Sequence, residues 1–155
     1  ELLCATGKRS IAIAETQKFG HVTYFWNGNR SEPFDAALEQ AIEIPSELGH
    51  FDRRPWMKAA EVTDAAIAAI TAKADTGIGP RYHQVRINYA NGDMVGHTGD
   101  LDATIVAVCA VDHQLGRLWA AVKEASGVLV VTADHGNADE MLEKGDPLRP
   151  KTSHS

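Results

Sequence analysis

The sequence has few cysteines, little basic charge and no long apolar run. Its 155 residues include two cysteines, Cys4 and Cys109, which are too few for a disulfide framework. The net charge is −6 at pH 7 and no long basic run occurs, so we expect no nucleic-acid partner. No apolar stretch approaches the roughly 20 residues that cross a bilayer, and no basic-then-apolar signal opens the chain. These absences predict a cytoplasmic protein without a membrane partner.

Enough apolar material is present for one core. Hydrophobic residues make up 44% of the sequence, which suits a single globular domain of this length. The chain begins with Glu1 rather than methionine and ends at Ser155, directly after a histidine. We therefore expect it to be a piece of a longer polypeptide.

Strand-like runs alternate with segments of helical period along the chain. Strands are predicted at 10–14, 21–26, 41–44, 82–89 and 128–132. Helices are predicted at 33–40, 56–74 and from the N-cap Asp100 to about residue 125. This alternation is typical of parallel βαβ units with crossover helices. The sequence therefore predicts the α/β class, with a mainly parallel sheet flanked by helices.

The run VLVVTADHGN, at 128–137, contains the strand around which we expect the chain to be organised. Four aliphatic residues in five precede Asp134, His135 and a glycine, which is the pattern of a buried strand that ends in ligand-type side chains. Ligands of open α/β sheets bind at the carboxyl ends of the strands. One Asp-His pair is also common as a polar turn, so this pair alone identifies no site.

A second Asp-His pair follows the preceding predicted strand. Asp93 and His97 are four residues apart, so one helical turn after Gly92 would place both on one side. His154 offers a further imidazole. The five side chains supply three nitrogens and two carboxylates without a thiolate, a set that suits zinc, manganese or iron. Parallel topology would bring both pairs to the same sheet edge.

Lys18 lies in the connection after the first predicted strand. A loop at a strand end can direct its side chains into the ligand crevice. An exposed loop cation without a structural role is the more common outcome. Both alternatives remain open for Lys18 at this point.

Four stretches resemble one known family. They are QKFGHVTYFWNGNRS at 17–31, NYANGDMVGHTGD at 88–100, VTADHGNADEM at 131–141 and KTSH at 151–154. Together they resemble the cofactor-independent phosphoglycerate mutases of the alkaline phosphatase superfamily. The resemblance spans nearly the whole chain in the same order, and it implies an alkaline phosphatase-like fold that is incomplete here.

The resemblance implies a particular chemistry. Members of the family interconvert 3-phosphoglycerate and 2-phosphoglycerate in glycolysis and gluconeogenesis, through a phosphoserine and two divalent metal ions, usually Mn²⁺. Carried onto this sequence, Asp93, His97 and His154 resemble the ligands of one ion, and Asp134 and His135 those of the second. Lys18 resembles the lysine that contacts the substrate or the transferring phosphoryl group. The substrate would be a phosphorylated three-carbon acid and the parent enzyme a monomer.

Part of the family's machinery is missing from the sequence. In the family, the nucleophilic serine comes from an N-terminal segment, and most contacts to the substrate carboxylate come from an inserted domain. None of the six serines lies in a motif that matches the nucleophile, so no catalytic residue is assigned; they are Ser10, Ser31, Ser46, Ser126, Ser153 and Ser155. We therefore expect residues 1–155 to be the C-terminal part of the metal-binding domain and inactive alone. Another phosphomutase or phosphatase of the superfamily, or a non-catalytic metal-binding fragment, are the alternatives.

Overall fold

The centre of the fold is strand β1 (Ser10–Glu15). In the computed structural model, which describes residues 1–154, β1 pairs in parallel with β2 (Glu39–Ile44) on one side and with β3 (Gln84–Asn88) on the other. All six residues of β1 are buried, because a central parallel strand is covered on both faces. The predicted α/β class with a parallel sheet is confirmed.

Helices of very different length flank this sheet. They are α1 (Leu2–Ala5), α2 (Thr16–Val22), α3 (Ala59–Thr71), α4 (Asn91–Gly96) and α5 (Leu101–Glu124), with a 3-10 turn at Phe51–Arg53. The main core joins Ile11 and Ile13 of β1 to α3 and to Leu118 of α5. Asp100 caps α5 as predicted, since its Oδ1 accepts the Ala103 N–H at 2.9 Å.

Helix α5 is the one helix in residues 1–154 that is long and apolar enough to span a membrane, by length and composition alone. Core helices of soluble proteins often meet the same criterion. One side of α5 packs inside the fold: Leu118 joins the main core, and Ala103 and Ala107 pack with Val95 of α4. One side of α5 is thus packed against the rest of the fold.

Two local predictions are wrong, both between β1 and β2. The predicted strand at 21–26 is the end of α2 followed by turns, and the Thr23 hydroxyl donates to the Phe19 carbonyl at 2.7 Å. The predicted helix at 33–40 is also absent: the residues before Glu39 form turns and bends, and the last two belong to β2. The Asp35 carboxylate accepts the Ala37 N–H at 2.8 Å. Such a side chain offers the backbone an alternative to the helical hydrogen bond.

The buried strand predicted at 128–132 is also wrong. This segment has no strand assignment and pairs with none of the five strands in the described part of the chain. Val128 and Val130 are 88% and 80% exposed. A cavity of about 540 Å³, lined by residues of β3, α5 and the segment itself, lies here. Apolar and β-branched residues favour extended backbone, but a strand forms only where another strand supplies hydrogen-bond partners.

The end of the chain returns to α4 through a short hairpin. Strands β4 (Leu142–Glu143) and β5 (Asp146–Pro150) are antiparallel. The end of β5 passes Gly99, where a β-carbon would lie only 3.0 Å from Pro150 Cβ and where φ is +75°. Glycine tolerates both conditions. This close approach brings His154 beside Asp93 and His97.

Candidate metal centre

Lys18 occupies the middle of the site. Helix α2 begins directly after β1, and its first turns direct Lys18 inward, so that only 4% of the side chain is exposed. The Nζ atom lies 2.9 Å from Asp93 Oδ2, 3.6 Å from Asp134 Oδ2 and 3.1 Å from His135 Nε2. Of the two alternatives for Lys18, the structure therefore shows the crevice and not the solvated loop.

Asp93 and His97 share one side of α4, at the predicted spacing of one turn. His97 Nε2 lies 3.0 Å from Asp93 Oδ1. His154 Nε2 lies 3.1 Å from Asp93 Oδ1 and 3.1 Å from His97 Nε2. Donor atoms around a tetrahedral ion with bonds of ~2.1 Å are about 3.4 Å apart. The triangle formed by these three side chains is therefore close to the size that one cation requires.

A hydrogen bond at Nδ1 fixes the orientation of the His97 ring. Its Nδ1 lies 2.6 Å from the carbonyl oxygen of Thr152. A carbonyl oxygen only accepts hydrogen bonds, so Nδ1 carries a proton and donates it there. In the neutral imidazole, Nε2 then keeps its lone pair toward Asp93 and His154. A histidine that binds a metal needs this tautomer and this kind of support.

Asp134 and His135 reach the same place from the irregular segment. Asp134 Oδ2 accepts a hydrogen bond from Asn88 Nδ2 at the end of β3, at 3.1 Å. The His135 ring stacks on the His154 ring at 3.9 Å between centroids. Donor atoms of Asp93, His135 and His154 also lie within 4.8 Å of one another. The five side chains thus form one cluster, although Asp134 and His135 do not follow a strand as expected.

The cluster keeps both carboxylates charged. Burial raises the pKa of Asp93, but hydrogen bonds from Lys18 and Asn137 more than compensate, and the pKa falls to about 2. Burial also raises the pKa of Asp134, whereas the Lys18 charge and the Asn88 hydrogen bond lower it, with a net lowering. Two ionised, partly buried carboxylates beside imidazole nitrogens favour a divalent cation.

The sequence interpretation missed two asparagines that hold these carboxylates. Asn88 ends β3 and donates to Asp134, and Asn137 donates to Asp93 Oδ1 at 2.8 Å. Both lie inside the motif stretches, at 88–100 and 131–141. A single asparagine has no recognisable ligand signature in the sequence, so only the fold identifies its partner.

The fold and the donor set define a metal-binding α/β domain. The chain belongs to the Metalloenzyme superfamily, whose family model matches residues 1–155.

The chain is similar to 2,3-bisphosphoglycerate-independent phosphoglycerate mutases. It is 50% identical to the protein of Trypanosoma brucei brucei, covering 100% of this chain and 29% of the relative. It is 46% identical to a probable form from Arabidopsis thaliana, covering 97% and 26%. The fold matches a crystal structure of Leishmania mexicana phosphoglycerate mutase at low cobalt concentration, with a TM-score of 0.90, 50% identity and coverage of 99% and 28%. The chain thus spans less than a third of the length of these relatives.

Proposed function

We propose that this chain is part of a 2,3-bisphosphoglycerate-independent phosphoglycerate mutase. The whole protein would interconvert 3-phosphoglycerate and 2-phosphoglycerate, a step of glycolysis and gluconeogenesis. Eight relatives that carry this name are 44–50% identical to the chain. The observation that carries the proposal is the meeting of Asp93, His97 and His154 with Asp134 and His135 around Lys18.

The division of the ligands between two ions follows the similarity to the mutases. We assign Asp93, His97 and His154 to one divalent ion, and Asp134 and His135 to a second, most simply Mn²⁺ in both places. The carboxylate and imidazole donors suit Mn²⁺, and the spacing of the first three suits a single ion. When bound, such ions neutralise phosphoryl oxygens and lower the pKa of an attacking hydroxyl.

Lys18 would contact the phosphoryl group. Its ammonium group is buried and held between Asp93 and Asp134, so its position is fixed before any substrate arrives. A preorganised cation in a site shielded from water stabilises charge on phosphoryl oxygens more strongly than a solvated one. The substrate is then a phosphorylated three-carbon acid.

The remaining parts of the enzyme would come from outside this chain. We propose that residues 1–155 form the C-terminal part of the metal-binding domain, and that a serine nucleophile and a second, substrate-binding domain belong to the rest of a cytoplasmic, monomeric enzyme. Of the six serines, Ser155 lies outside the described residues. None of the other five forms a hydrogen bond with the Asp93 or Asp134 carboxylate in residues 1–154, which is consistent with a nucleophile elsewhere.

Metal binding by the chain itself tests this assignment. We expect Mn²⁺ to bind in calorimetric titration and to raise the melting temperature, and we expect His97→Ala and Asp134→Ala each to weaken binding. His113→Ala and Asp112→Ala change the same residue types on the exposed side of α5 and should leave binding unchanged. Equal affinity in the site and control variants would refute the ligand assignment.

A mutase assay tests the division of the machinery. The chain with saturating Mn²⁺ should convert 3-phosphoglycerate no faster than the chain without metal. Robust turnover would refute the proposal that the nucleophile lies outside these residues.

A further inference from the structure

Asn137 is among the few polar side chains that are almost completely buried. Only 4% of the residue is exposed, and it follows the Asp134-His135-Gly136 turn. Its Nδ2 donates twice, to Asp93 Oδ1 at 2.8 Å and to the Asp93 carbonyl oxygen at 3.2 Å. Its own backbone N–H donates to Asp139 Oδ1 at 2.7 Å. Hydrogen bonds therefore hold the backbone of Asn137 in place and direct its side-chain amide at both the carboxylate and the carbonyl group of Asp93.

The other half of this amide has no partner. Asn137 Oδ1 is buried and accepts no hydrogen bond within residues 1–154. A buried acceptor without a partner destabilises a fold. Rotating the amide by half a turn would place this oxygen against two oxygens of Asp93, which is worse. The hydrogen bonds to Asp93 thus determine the orientation of the Asn137 amide, and the fold tolerates the energetic cost of the unpaired Oδ1.

Gly96 provides the space for this orientation. A β-carbon on Gly96 would lie 2.4 Å from Asn137 Oδ1 and 2.9 Å from Asn137 Cγ. Neither distance is possible without movement of Asn137. The conformation of Gly96 is helical, so glycine is not required there for its backbone freedom. Glycine is needed at position 96 because a side chain there would collide with Asn137.

We infer that Asn137 positions the Asp93 carboxylate for metal binding, and that Gly96 is glycine so that Asn137 fits. Asp93 Oδ1 is the oxygen that faces His97 and His154, so the donation from Asn137 fixes the oxygen on which the triangle of donors depends. Supporting groups of this kind typically change metal affinity by about 10- to 100-fold when removed. This inference rests on the proposed metal site.

The test is a double-mutant cycle in Mn²⁺ affinity, measured by calorimetry on the 155-residue chain. Asn137→Ala and Gly96→Ala should each weaken binding about 10- to 100-fold. The double variant should be no weaker than either single variant, since both changes remove one contact. Gly92→Ala is the matched control: it lies in the same helix, and its β-carbon would meet only Ala138 Cβ at an ordinary 3.8 Å.

The possible results separate this inference from the metal site itself. Weakened Mn²⁺ binding with little change in the melting temperature of the metal-free chain supports a positioning role for Asn137. A lower melting temperature with unchanged Mn²⁺ affinity shows a packing role only and overturns the inference. Additive losses in the double variant also overturn it. If Asp93→Ala leaves Mn²⁺ affinity unchanged, the metal site is refuted and not merely its support.

Discussion

Strand β1 and the segment 128–132 have similar sequences and opposite structures. Both are short runs of aliphatic residues, SIAIAE and VLVVT, and both precede residues of the candidate site. β1 is buried throughout and paired on both sides, whereas Val130 is 80% exposed and its segment is unpaired in the described chain. Local composition therefore specifies a tendency to extend, and neighbouring strands decide whether a strand forms.

The largest expected difference between these regions is in the protection of their backbone amides from hydrogen exchange. Amides of β1 should exchange with solvent only through global unfolding, and those of 129–132 without it. A stability in the usual range of about 5 kcal/mol or more corresponds to a difference of at least ~10³ in protection. Hydrogen exchange followed by mass spectrometry measures both. Comparable protection of the two regions would show that 129–132 is paired in solution.

The second largest difference is expected in the unfolding free energy when one side chain in each region is truncated. Ile13 is completely buried in the main core, so Ile13→Ala should lower the free energy of unfolding by about 2–5 kcal/mol. Val130→Ala should change it by less than about 0.5 kcal/mol, because little packing is lost. Urea denaturation of both variants provides the measurement. A cost for Val130→Ala as large as that for Ile13→Ala would contradict the exposed position of Val130.

Lys18 connects the two regions, and its removal should have two opposite effects. Lys18→Met leaves Asp93 and Asp134 without their cation. We therefore expect the unfolding free energy of the metal-free chain to fall by about 1–3 kcal/mol. The same change removes a positive charge beside the metal ligands, so Mn²⁺ affinity should rise. Lys123→Met, on the exposed end of α5, is the control. Weaker Mn²⁺ binding by Lys18→Met would indicate that Lys18 organises the site instead of competing with the metal.

The smallest expected effect concerns Glu15, the last residue of β1. Burial raises its pKa above 4.5, although the Lys58 backbone N–H partly opposes this by donating to the carboxylate. A carboxyl with a raised folded pKa contributes stability below the unfolded pKa and loses it as pH rises through the folded value. The unfolding free energy should therefore fall above pH 4.5 by more in the unchanged chain than in Glu15→Gln. Parallel pH profiles would show that Glu15 is not buried in solution.

Several elements could be predicted because their signals are local. The spacing of Asp93 and His97 required only one helical turn, and α4 provides it. Asp100 needed only the first turn of α5 to act as its cap. The strand predicted at 10–14 was also recognisable from its apolar and β-branched residues, and β1 contains it. The errors at 21–26 and 33–40 arose where one side-chain hydrogen bond, such as that of Asp35, outweighed a weak propensity.

The sequence alone determined the chemical types at the site: two carboxylates, three imidazoles and a lysine, in motifs that are shared with the mutases. The tertiary structure decided which of these side chains meet, that Lys18 is buried between them, and that Asn137 orients Asp93 in the space left by Gly96. The physical reason is one of range. Residue identity fixes donor chemistry and local backbone preference, but strand pairing, burial and hydrogen bonds between residues more than forty positions apart exist only after the chain has folded.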